Sequence, residues 1–146
     1  TLLYGHIDTT DERLEHLAIL RRTQDETGGF LAYIPLAFHP KNTEMADHAR
    51  TTAMEDLKNI AVARLMLDNF PHIKAYWVMI GPKLAQIALS FGADDMDGTV
   101  KEEVITHMAG ADTEQALGHK TLIHLIREAG REPVERDTLY NVLQTY

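Results

Sequence analysis

The densest chemistry in the chain is Asp94-Asp95-Met96-Asp97, followed by Gly98 and Thr99. Carboxylates this close together are costly to bury without partners. At the C-terminal end of a parallel strand, where α/β folds bind ligands, they make a site candidate. The plainer reading of Asp97-Gly98-Thr99 is a turn in which the Asp side chain accepts backbone N–H bonds. A second group is Tyr4, Gly5, His6 and Asp8, and a third is His39 with Asn42. Imidazoles in such places hold a carboxylate or manage a proton, although a loop histidine is more often solvated or capping. Trp77, like Tyr76, is read first as packing and only then as a stacking surface. Glu103 and His107 stand four apart, but the spacing is not H-E-x-x-H, and no metal site is assigned. Ser90 is the only serine and lies at a helix end, so a Ser-His-Asp nucleophile has no support.

For these groups to converge, strands must end beside one another. Thr1 to Tyr4 reads as a short strand, and Thr9 with Glu12 as a capping box opening a helix that Gly28-Gly29 stops. Phe30 to Phe38, FLAYIPLAF, suits a strand buried on both faces. A polar loop from His39 to Arg50 follows, long enough to be functional or mobile. Thr52 and Glu55 open a second helix with an apolar face of Leu57, Ile60, Ala61, Arg64 and Leu65. Ile73 to Met79 alternates as a strand, Pro82 starts a helix faced by Leu84, Ile87, Ala88 and Phe91, and the acidic run re-enters the sheet. A last amphipathic helix around Leu122 to Ile126 stops at Gly130, and Pro133 to Arg136 could add a short strand.

Strand and helix alternate, which means α/β with a parallel sheet. No G-x-G-x-x-G or Walker sequence favours a nucleotide-binding sheet. The expectation is therefore half of a (β/α)8 barrel over about residues 1–100, with a helical C-terminal extension over about 101–146. On that plan Tyr4, Gly5, His6, Asp8, His39, Asn42, Trp77, Asp94, Asp95, Asp97 and Thr99 share one rim.

The whole chain sets outer bounds. Its 146 residues, 45% of them hydrophobic, suffice for one domain. A formal charge of −8 argues against general nucleic-acid binding. No apolar run approaches the roughly 18 residues of a membrane span. TLLYGHIDTT does not resemble a signal peptide, and a cytoplasmic location is expected. The opening in TLLYG, without Met, suggests a start inside a larger protein. The chain has no cysteine, so it can form neither disulfides nor a cysteine-ligated centre.

Several blocks together resemble one family over almost the entire chain. YIPLAFHPKNT (Tyr33 to Thr43), IAVARLMLDNFPHIKAYWVMIGPKLAQIALSFGADDMDGTVKEE, HMAGA and PVERDTLYNV are similar to the C-terminal half of the aminofutalosine synthases. These are radical S-adenosylmethionine enzymes of the futalosine route to menaquinone. Dehypoxanthine futalosine cyclases and FO synthase subunits are sisters, but FHP at 38–40 and ADDMDGT at 93–99 look more like the synthase. Thr1, Leu3, Gly5 and Asp8 fall on the superfamily's G-x-I-x-G-x-x-E pattern, with Thr for Gly and Asp for Glu. The resemblance implies that Leu3, Gly5 and Asp8 help bind S-adenosylmethionine, Gly5 by letting a flat ring approach the backbone.

The same resemblance implies a [4Fe–4S] cluster held by a C-x3-C-x2-C loop, which this chain lacks; alone it should be inactive. In the intact enzyme a 5′-deoxyadenosyl radical would add to the enol ether of 3-[(1-carboxyvinyl)oxy]benzoate. His39 and His6 would bind a carboxylate or manage a proton. Asn42, Trp77, Asp94, Asp95, Asp97 and Thr99 would line the substrate side. The missing partner would be the N-terminal half barrel, and exposed sheet edges would invite a homo-oligomer. A purely structural α/β domain and a self-contained metal-dependent enzyme are the rival classes.

Overall fold

The computed structural model describes residues 1–98 and 117–146. Thr99, Glu103 and His107 lie outside these residues. What is described is mixed α/β with short strands: β1 (Leu2–Tyr4), α1 (Thr10–Thr27), β2 (Ala32–Tyr33), β3 (Pro35–Ala37), α2 (Ala53–Met66) and β4 (His72–Ile73). Then follow α3 (Trp77–Ile80), α4 (Pro82–Ala88), α5 (His119–Glu128), β5 (Val134–Arg136) and β6 (Val142–Thr145).

The parallel pairings run in chain order. β1 pairs with β3, Leu3 opposite Leu36, and β2 pairs with β4, Tyr33 opposite Ile73. A parallel bridge joins Lys74 to Asp95, and the Ala75 amide donates to the Asp95 carbonyl at 2.7 Å. The segment 32–37 thus stands between β1 and β4, with Asp95 beyond β4. Tyr4, Tyr33, Ile73 and Ala75 are buried on the face that meets the helices. Their neighbours Leu3, Leu36 and Lys74 lie on the other face, which is only partly covered.

The helices start and stop for local reasons. Thr9 caps α1 with its hydroxyl on the Glu12 amide while Glu12 returns to the Thr9 amide, and left-handed Gly28 ends the helix. Thr52 caps α2 with its hydroxyl on the Glu55 amide. Leu17, Leu57, Ile60, Ala63 and Leu67 pack with Tyr33, Ile73 and Trp77 into one core.

Five expectations change. Ile73 to Met79 is not one strand: the pairing ends at Ala75, and Trp77 opens a helical turn. In that turn adjacent Trp77 and Val78 both enter the core, whereas strand geometry would send them to opposite faces. FLAYIPLAF is broken at Ile34 into two strands that pair with different neighbours. The buried face of α2 runs through Leu57, Ile60, Ala63 and Leu67, leaving Leu65 79% exposed, and α4 buries Ala85 and Ala88 rather than Ile87. Finally, the C-terminal part is not helical throughout, because β5 and β6 form an antiparallel hairpin.

Candidate functional site

The first cluster forms where β1 ends. Gly5 takes φ of 86°, and a side chain there would collide with the methyl of Thr51, so glycine is needed for the 39–52 loop to close on β1. Asp8 folds back and accepts the amides of Gly5 at 2.8 Å and His6 at 2.9 Å. Its other oxygen accepts from Arg13, which also bonds Glu55 at 2.9 Å. Burial alone would raise the Asp8 carboxyl, but the His6 amide and the Arg13 guanidinium outweigh it and hold it below the usual range. His6 donates from Nε2 to the Leu3 carbonyl at 3.1 Å, and its Nδ1 accepts the Ile7 amide at 2.7 Å. Leu3 stays 45% exposed.

His39, at the end of the neighbouring segment, is buried, and its Nε2 donates to the Met79 carbonyl at 2.9 Å. That bond ties the loop after β3 to α3. Asn42 is exposed in the loop. Trp77 is fully buried, and its indole N–H is engaged by the Gly98 carbonyl at 3.2 Å.

The acidic run is divided among three surroundings. Asp94 sits at the N-terminal end of its segment, level with Ile73, where it accepts the Ile73 amide and Arg64 Nη2, both at 2.7 Å, and meets His72 at 2.5 Å. Arg64 also bonds the Gly92 carbonyl at 2.7 Å, so Asp94 completes a clamp between α2 and the sheet. Asp95 lies on the other face. One oxygen accepts the Asp97 amide at 2.7 Å; the second accepts Arg136 Nη2 at 2.5 Å, Arg136 Nε at 3.1 Å and the Tyr140 hydroxyl at 2.6 Å. Burial would raise Asp95, but Tyr140, the Asp97 amide, Lys74 and Arg136 together hold it low. Asp97, in the left-handed region at φ 74°, receives Lys74 Nζ at 2.8 Å. The structure therefore brings Asp95 and Asp97 together with Lys74, Arg136 and Tyr140, and sets Asp94 apart.

Lys74, Arg136 and Tyr140 were not among the residues selected from sequence. Lys74 could have been found from its place in the alternation beside the acidic run. Arg136 and Tyr140, more than forty positions later, carry no local signal. Also unforeseen is a buried polar group on the helix side, where the Tyr4 hydroxyl donates to Asp56 at 2.7 Å. Burial pushes both groups upward in pKa.

The sequence description "CofH/MqnC C-terminal region" matches residues 27–146. The chain belongs to this family. The whole chain is 53% identical to part of an aminodeoxyfutalosine synthase of Thermus thermophilus, covering 40% of that protein. It is 48% identical to the Streptomyces coelicolor protein of the same name, covering 41%. Over 98% of its length it is 46% identical to an Archaeoglobus fulgidus 5-amino-6-(D-ribitylamino)uracil–L-tyrosine 4-hydroxyphenyl transferase, covering 42%. The chain thus spans about two-fifths of the curated relatives it matches.

Fit to the groups implied by the resemblance can be judged residue by residue. With no cysteine, the chain supplies no thiolate for cluster iron, and among the described residues no group of His, Asp and Glu gathers as a metal site. Leu3 offers an exposed apolar side chain, although the space above Gly5 belongs to Thr51 rather than to a ligand. Among the described residues no helix is long and apolar enough to cross a membrane.

Proposed function

We propose that this chain is the C-terminal part of a radical S-adenosylmethionine enzyme of the aminodeoxyfutalosine synthase type. The observation that carries the reading is the 53% identity along the entire chain. In this reading about residues 1–100 are half of a (β/α)8 barrel, and the partly covered face bearing Leu3, Leu36, Lys74 and Asp95 is the barrel interior. The order of parallel pairings supports that architecture. The C-terminal residues form an extension, and an upstream half barrel completes the cavity and brings the cluster ligands.

S-adenosylmethionine bound to that cluster would supply the 5′-deoxyadenosyl radical that adds to 3-[(1-carboxyvinyl)oxy]benzoate. This chain's residues bind and orient. Leu3 packs an apolar ring, and Asp8 keeps the Gly5–His6 turn rigid with its two amide bonds. His39 and His6 stand at the C-terminal strand ends, where a substrate carboxylate or a proton would be handled. Asp97 accepts sugar hydroxyls while Lys74 neutralises it, so a dianionic substrate does not face an unpaired carboxylate.

A second reading rests on the 46% identity to the archaeal tyrosine transferase, which would place tyrosine and a ribityl-bearing uracil in the same cavity. The complete reading frame tests the shared part of both. It should encode a cysteine triad upstream and yield a protein carrying about four irons per chain after anaerobic reconstitution. A frame without that triad overturns the radical reading. His39→Ala in the complete protein should sharply reduce turnover; wild-type turnover would remove His39 from the site.

A further inference from the structure

We propose that the C-terminal hairpin is a positioning clasp: Arg136 and Tyr140 occupy Asp95 so that Lys74 pairs with Asp97 on the partly covered sheet face. Only what the Lys74–Asp97 pair faces rests on the reading above; the clasp itself follows from the side-chain geometry.

Lys74 and Asp95 are bridge partners on neighbouring parallel segments, so their side chains project from the same face. That placement alone would make Asp95 the nearest carboxylate for the lysine. Yet Lys74 Nζ is 4.0 Å from Asp95 and 2.8 Å from Asp97. The Asp95 oxygen that the lysine would use already accepts both Arg136 nitrogens and the Tyr140 hydroxyl. Arg136 directs two N–H groups of its planar guanidinium at that one oxygen, whereas Lys74 is a point charge, so the arginine wins the contest.

The hairpin is held in place to do this. Tyr140 stacks on His72 at 3.8 Å with the rings 9° apart, and the Arg136 guanidinium lies over the Tyr140 ring at 4.0 Å. His72 is in β4, two residues before Lys74, so the stack fixes the hairpin against the strand whose lysine it controls. The other Asp95 oxygen completes the device by accepting the Asp97 amide, which stabilises the left-handed turn that aims the Asp97 carboxylate at Lys74. Tyr140 is thus a positioning residue that acts through Asp95; Arg136 acts the same way, and its Nη2 also lies 3.7 Å from Asp97.

Zero-length carbodiimide coupling of the purified chain, read by peptide mass spectrometry, tests the clasp, because an activated carboxylate forms an amide with the amine paired to it. Wild-type protein should link Lys74 mainly to Asp97. In Arg136→Gln, and in Tyr140→Phe, which deletes only a hydroxyl, the link should move to Asp95. The ratio of Asp97-linked to Asp95-linked product should fall about tenfold, the equivalent of losing one hydrogen bond. Arg136→Lys should restore part of the wild-type ratio. If both the Arg136→Gln and the Tyr140→Phe protein keep the wild-type ratio, the clasp is refuted. Absence of turnover by the complete protein would overturn the enzymatic reading and leave this result standing.

Discussion

Asp95→Asn should expose how much the fold depends on one carboxylate. The Asp95 side chain is 9% exposed, and it meets Arg136 and Tyr140 through bonds of 2.5 to 3.1 Å. An amide keeps one acceptor oxygen, enough for the Asp97 amide or for the Tyr140 hydroxyl but not for both, and it removes the charge that balances Arg136. Breaking a buried pair in this way costs about 3–5 kcal/mol. Arg136 retains partial contact with water, so the expected loss at pH 7 is nearer 2–3 kcal/mol, roughly one to two charge-assisted hydrogen bonds. The pH dependence has a definite sign. The folded Asp95 carboxyl lies below its ordinary value, so its stabilisation is complete above the unfolded value of about 3.9 and is lost as pH falls through the folded value. Urea unfolding of wild-type and variant chains should therefore diverge at pH 7 and begin to converge only below about pH 4, as pH falls toward the folded value. A variant as stable as wild type at pH 7, or a deficit that persists undiminished in acid, would refute the reasoning.

Asp56 should behave in the opposite sense, because burial holds its folded carboxyl above the ordinary range. Its ionised form opposes folding, so the stability it allows is complete below about pH 3.9 and is lost as pH rises through the folded value. Asp56→Asn keeps an acceptor for Tyr4 and should gain at pH 7 about 1.4 kcal/mol for each unit of that elevation, with no gain in acid; a loss at pH 7 counts against it. Gly5→Ala should destabilise by about 1–3 kcal/mol through its positive φ, with a further cost from the overlap with Thr51. Adding Thr51→Ala should recover only the overlap in a thermal melt, so full recovery would show that the backbone there is unstrained.

Local chemistry was legible in the sequence, and long-range polar contacts were not. Thr9, Glu12 and Gly28 act within one turn of chain, and their capping roles could be read directly. Apolar periodicity located α2 and half of its face, Leu57 and Ile60, but chose Ala61 and Leu65 where the helix buries Ala63 and Leu67. Alternation from Ile73 suggested a longer strand than forms, since the period does not register that Trp77 must reach the Gly98 carbonyl. The acidic run was visible as chemistry. Its division was not, because the partners that separate Asp94 from Asp95 come from α2 on one side and the distant hairpin on the other. Family resemblance supplied what spacing could not, the family in which such a run occurs.

The most direct test is product identification with the complete protein, reconstituted anaerobically and given S-adenosylmethionine, reductant and 3-[(1-carboxyvinyl)oxy]benzoate. Mass spectrometry should detect aminodeoxyfutalosine, and tyrosine with the ribitylaminouracil should give no adduct. Turnover of the second pair alone, or of neither, would contradict the assignment.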